Sequence, residues 1–186
     1  MPELAETFRI LESLWAASFG LPRSQLRPPR LDTEQVIRAA VDRQPHREVT
    51  SWWALHDGQE DGPVEGYFLN AFRLLGLSDA LAWRTVMLDA VSSVAGLADG
   101  LVDESWIPIA ISRTGRTLLA DAVTGSVHSR DLTEWEDAGD LPSISDLLTL
   151  WLRPSVRLIW DRDLTFMEME GRRSAAGLSD EDLLFV

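Results

Sequence analysis

Trp106-Ile107-Pro108-Ile109-Ala110-Ile111, then Gly115, then Leu118-Leu119-Ala120-Asp121, reads as two strands joined by a tight turn. A tryptophan leads an apolar run, Thr114-Gly115 supplies turn chemistry, and the second run ends on an aspartate. Thr124-Gly125 is a further turn, and Ser126-Val127-His128 after it reads as a short third strand. Strands joined by such short turns form an antiparallel meander.

Upstream the period changes from two to that of a helix. Leu4, Phe8, Leu11, Leu14, Trp15 and Phe19 mark one apolar face over residues 3–18, closed by Gly20-Leu21-Pro22. Residues 21–31, with Pro22, Pro28 and Pro29, read as an extended connection. A second helix starts at Asp32 or Thr33, either of which can cap it, and buries Val36, Ile37, Ala40 and Val41. Pro45 ends it, and a short third helix carries Val49, Trp52, Trp53 and Leu55 up to Asp57-Gly58. Residues 66–69 and 72–75 read as extended. Ser78 is the expected cap of a long helix reaching Val94, with Leu81, Ala82, Val86, Leu88 and Val91 available for burial. Downstream, Pro142-Ser143 opens a helix through Leu152, capped by Ser143 or Ser145, and 156–160 is a last strand candidate. Helices, strands, a helix and strands again make an α+β pattern: one mostly antiparallel sheet flanked by helices. The expected organisation is an N-terminal helical extension over 1–29, a central domain over 30–160 and an acidic tail over 161–186.

The 186 residues include 45% hydrophobic side chains and eight tryptophans, enough for one well-filled core. Cysteine is absent, which rules out disulfides, thiolate metal sites and cysteine nucleophiles. No apolar run of about 18 residues exists to span a membrane. Glu3, Glu6 and Glu12 stand where a secretory signal needs a basic start, so the expected location is the cytoplasm. The net charge is −13 and unevenly spread. Residues 54–70 hold four acids and no Arg or Lys, and residues 99–140 hold nine acids against three Arg. Such a surface repels nucleic-acid phosphates and favours a basic partner. Lysine is wholly absent.

Motifs for chemistry are few. Asp57-Gly58-Gln59-Glu60-Asp61-Gly62 begins like a calcium loop, but its twelfth position, which needs a bidentate Glu, is Phe68. It reads as an acidic turn. His46, His56 and His128 lack metal-ligand spacing, and His56 reads as a helix-end histidine. There is no G-x-S-x-G elbow, no G-x-G-x-x-G and no P-loop with its lysine. The neighbouring pairs Asp103-Glu104 and Glu136-Asp137 do not by themselves set the separation that glycoside hydrolysis needs. No metal, cofactor or catalytic residue is expected. The cluster Asp131, Glu134, Trp135, Glu136, Asp137 and Asp140 sets an aromatic among carboxylates. That combination suits an anchor for a basic surface, and equally a core tryptophan on a solvated helix.

Taken in order, Trp53 to Gly58, Phe72 to Leu75, the helix bearing Trp83, Trp106 to Ala110, Gly115, Asp121 and the closing helix Ser145 to Leu152 resemble the SUKH superfamily. That group includes the yeast cell-wall-assembly regulators of the Smi/Knr type and many bacterial relatives. The likeness runs from about residue 30 to residue 153. It departs at Gly115-Arg116, where relatives often carry Gly-Asp or Gly-Asn, and in the lead-in to the first Trp helix, where only Pro45 survives. The resemblance implies a non-enzymatic binding module similar to bacterial immunity proteins, which neutralise a cognate toxin, often a nuclease. Charge supports the same expectation, since a nuclease presents cationic groups that acidic loops can cover. The expected contact residues are Asp57, Glu60, Asp61 and Glu65, then Asp99, Asp103 and Glu104, then Asp131, Glu134, Trp135, Glu136 and Asp137. The alternative is a regulatory scaffold of the cell-wall-regulator type with no toxin partner.

Overall fold

Five strands pair in the order in which they occur along the chain, and every pairing is antiparallel. The structure is a computed structural model that describes residues 4–18, 26–60, 72–93, 102–112, 115–131, 136–153 and 185, with backbone alone at 18 and 136–138. Its elements are α1 (Leu4–Ser18), α2 (Thr33–Val41), α3 (Arg47–Leu55), β1 (Phe72–Leu74), α4 (Leu77–Ser93), β2 (Trp106–Ser112), β3 (Arg116–Asp121), β4 (Val127–Asp131), β5 (Glu136–Leu141) and α5 (Ile144–Leu152). The fold is α+β, a single small domain.

Leu118, Leu119 and Ala120 of β3 are all fully buried because helices cover both faces of the sheet. Leu118 and Ala120 join the large core with Phe8, Leu11 and Trp15 of α1, Trp52 and Trp53 of α3, and Leu147, Leu148 and Trp151 of α5. Leu119 points the other way, into a small cluster with Trp106 and Met87 of α4. A strand covered on both sides reads as a continuous apolar run, as this one does. Pro108 sits in β2 beyond the reach of β1, which pairs only with Ala110 to Ser112. There its missing N–H costs no bond to β1. A register shift follows between Pro108 and Ala110, and the carbonyl of Ile109 accepts from the Leu75 amide at 3.0 Å.

The first strand meets α4 at a crossing of two glycines. Gly58 has φ +76°, and a Cβ on it would lie 2.2 Å from the Gly76 nitrogen. Only glycine fits, sterically and conformationally. The crossing brings Asp57 against the start of α4, where its Oδ1 accepts from the Leu77 amide at 2.8 Å. The other helices are joined as economically. Ser143 caps α5, accepting from the Asp146 amide at 3.0 Å. Glu48 of α3 takes the Ser145 amide at 3.1 Å and the Ser145 hydroxyl at 2.6 Å. One carboxylate on α3 thereby satisfies a free N–H in the first turn of α5.

Several sequence expectations change here. The long helix begins at Leu77 rather than at a Ser78 cap, because Asp57, 20 residues upstream, does the capping. The Ser78 hydroxyl accepts instead from Arg30 at 2.9 Å. Burial on α4 falls on Leu77, Ala80 and Met87, while Ala82 and Val86 are exposed and Leu81, Leu88 and Val91 are half-buried. Apolar residues lie all round this helix, so only its packing partner could select the buried stripe. At α2, Asp32 holds the cap position, but its carboxylate is taken by Arg30 at 2.9 and 3.0 Å and makes no cap bond. The third strand of the meander runs on to Asp131 and hairpins into β5. Glu136–Leu141 has no apolar alternation, so nothing local marks it as a strand. The extended readings at 66–69 and 156–160, and the tail apart from Phe185, lie outside the described residues.

Candidate functional site

The face of the sheet opposite the large core gathers the polar side chains that the meander's period of two brings together. Asp121, opposite Trp106, and Leu119, opposite His128, share one face of β3. His128 in turn is opposite Asp140. The imidazole of His128 stacks on Trp106 with ring centroids 3.9 Å apart. Its Nδ1 lies 2.6 Å from Asp140 Oδ1, and its Nε2 lies 3.0 Å from Ser126 Oγ. Arg130 places its guanidinium 4.8 Å from the centre of the Trp106 ring and donates to Asp140 Oδ1 from both terminal nitrogens at 3.2 Å. Burial works to raise the Asp140 carboxyl, but His128 and Arg130 outweigh it and hold it below the usual range. Asp140 is therefore a carboxylate, and the nitrogen facing it must carry a proton.

At one end of this face Asp121 builds the β3–β4 turn. Its Oδ1 accepts from the amides of Val123 at 2.7 Å and Thr124 at 3.1 Å. Burial pulls its carboxyl upward, and those amides together with the Thr124 hydroxyl pull it further down. Gly125 completes the turn at φ +84°, packed so closely on the His46 ring that a Cβ would lie 2.2 Å from its Nδ1. Asp121→Ala is expected to cost about 1.5–3 kcal/mol at neutral pH, the range for hydrogen bonds to a charged group. A depressed carboxyl contributes stability above its unfolded pKa and loses it as pH falls through the folded one. The difference between Asp121→Ala and the wild type, measured by urea unfolding, should therefore shrink in acid.

Among the described residues, the expected contact positions fall at separate places on the fold. Asp57 is half-buried and occupied in capping α4; Glu60 is exposed. Gln59, at the third position of the calcium-like loop, accepts from the Leu74 amide at 2.8 Å, so the first and third oxygens are both engaged by backbone. Asp103 is exposed and accepts from the Ser105 amide and hydroxyl, both at 2.7 Å, which hold its carboxyl below the usual range. Glu104 is exposed, and its carbonyl accepts from Arg84, seven residues into α4. The Asp57 and Glu104 positions are thus separated by about 10 Å along the helix axis at 1.5 Å per residue. Asp131 lies opposite Arg116 on one side and Glu136 on the other. That row stands at the far end of β3 from Asp121, about 17 Å away at 3.3 Å per residue. Asp137 is opposite Arg130. Asp61, Glu65, Asp99, Glu134 and Trp135 lie outside the described residues. The Ser126–His128–Arg130–Asp140 group was missed as a unit. Its signal is the period of two in Ser126-Val127-His128-Ser129-Arg130, hidden when the strand is stopped at His128.

Among the described residues, no group of three His, Cys, Asp or Glu could hold a metal ion, and no helix is long and apolar enough to cross a membrane. No protein-family model matches the chain, and no curated protein matches it.

Proposed function

We propose that this protein is a binding module whose acidic surface takes a basic protein partner, in the manner of an immunity protein covering the cationic site of a nuclease toxin in the cytoplasm. The observation that carries the reading is the surplus of 30 acids over 17 arginines. Placement of the acids supports it. Glu60 and Glu104 are exposed, and Asp103, Asp121 and Asp140 stay ionised below the usual carboxylate range. Negative charge that persists in this way steers a cationic partner and weakens with salt. The SUKH resemblance supplies the toxin-neutralising role.

Pull-down from the native lysate at low and high salt tests it. A basic toxin domain encoded beside this gene should be retained at low salt and released as salt rises. Glu104→Arg should weaken retention at low salt. If the purified toxin domain does not bind, the immunity reading is wrong. Recovery of cell-envelope or signalling proteins instead would favour the regulatory scaffold.

A further inference from the structure

We propose that Ser126 is an acyl-accepting nucleophile, activated by His128 and oriented through Asp140. The inference goes beyond partner binding and does not depend on it. The hydrogen bonds run in one direction. The Asp140 carboxylate accepts from His128 Nδ1 at 2.6 Å, so the lone pair of the neutral ring is on Nε2. That lone pair faces Ser126 Oγ at 3.0 Å and accepts its proton. Thr124 Oγ1 accepts from the Ser126 amide at 3.3 Å and lies 2.8 Å from Ser126 Oγ. The serine hydroxyl therefore points into a base held by a third group, the order that general-base activation requires.

The supporting groups fit the same role. Trp106 clamps the imidazole face to face, 16° from parallel, and can stabilise the imidazolium once it forms. Arg130, on the same Asp140 oxygen, keeps that carboxylate from taking the proton itself. Ser126 is half-buried beside the exposed Thr124.

The turn also sets the substrate class. Every amide from Ala122 to Ser126 is already bonded: Ala122 to the Ser105 carbonyl, Val123 and Thr124 to Asp121 Oδ1, Gly125 to the Asp121 carbonyl, and Ser126 to Thr124. None remains to hold a developing oxyanion, the element on which amide hydrolysis relies most. The chemistry is confined to acyl donors with good leaving groups, such as aryl esters and thioesters. Ser126 Oγ bonds to the acyl carbon while its proton passes to His128 Nε2. The bond from that carbon to the phenolate or thiolate then breaks, and the imidazolium returns its proton to the leaving group. The product is an ester on Ser126.

The test is acetylation of the full chain by p-nitrophenyl acetate, with nitrophenolate release followed in time and the acetyl group mapped by peptide mass spectrometry. The acetyl should sit on Ser126 and be absent from Ser126→Ala. His128→Gln should slow labelling about 100-fold or more. Asp140→Asn, at a positioning residue, should slow labelling and change its pH dependence. In the unsubstituted protein, labelling of Ser126 should slow as the buffer is acidified. Acetyl groups placed elsewhere, no label above the Ser126→Ala background, or Ser126 labelling indifferent to pH would each overturn the proposal. The pH arm needs no variant to fold. Salt-dependent capture of the basic toxin domain by the unsubstituted protein is read separately from acetylation, so the failure of this proposal and the failure of the binding reading are distinguishable.

Discussion

Stability is expected to fall by about 1.4 kcal/mol for each pH unit lost across the window that His56 controls. His56 ends α3 fully inside the core, stacked on Phe8 at 4.7 Å and edge-on to Trp52 at 4.7 Å. Its Nδ1 accepts from the Gly58 amide at 3.0 Å, which places the ring proton on Nε2. Nε2 has no hydrogen-bond partner among the described residues. Burial disfavours a second proton's charge and pushes the group down from 6.5 to about 3. The sign follows. Between those values the unfolded chain binds a proton that the folded chain refuses, so stability drops as pH falls from 6.5 and the loss ends near pH 3. Urea unfolding at steps from pH 7 to 4.5 would measure it, with His56→Gln as the comparison. Glutamine can still accept from Gly58 but does not titrate. The variant should be less stable at pH 7 and have a shallower slope. An unchanged slope would mean that His56 is not the group responsible.

Trp53→Ala should cost about 3–5 kcal/mol, the range for removing a large buried aromatic. Trp53 is fully buried in the large core, and its Nε1 donates to the Leu75 carbonyl at 2.9 Å. That bond holds the β1–α4 junction, one residue before the glycine crossing that lets Asp57 reach Leu77. Trp53→Phe separates the two roles. It keeps much of the apolar volume but leaves the Leu75 carbonyl without its donor, so its own cost should be about 1–3 kcal/mol. Equal losses in the two variants, measured by denaturant unfolding, would show that the hydrogen bond rather than the volume dominates.

Most helices and the three central strands were legible because their signals are local. The apolar stripe of α1, the Ser143 cap of α5 and the turns at Gly115 and Gly125 each lie within a few residues of what they specify. β5 was not legible. Its acidic segment is a strand because β4 offers a ladder to pair with, and that pairing is a property of two segments. The cap of α4 was hidden for the same reason, since it comes from Asp57 across the glycine crossing. The contact residues proposed from charge are a property of composition, and the fold places Asp57, Asp103 and Asp131, among those described, in separate local settings.

The sequence by itself determined the α+β class, the acidic surface and the absence of thiol chemistry, because periodicity, charge and residue type need no neighbours in space. Only the tertiary structure decided which carboxylates cap helices and turns and which face solvent. It also decided that Ser126, His128 and Asp140 align across β4 and β5. The first depends on close approaches such as the Gly58–Gly76 crossing, and the second on strand register, which brings residues 12 apart within hydrogen-bond distance.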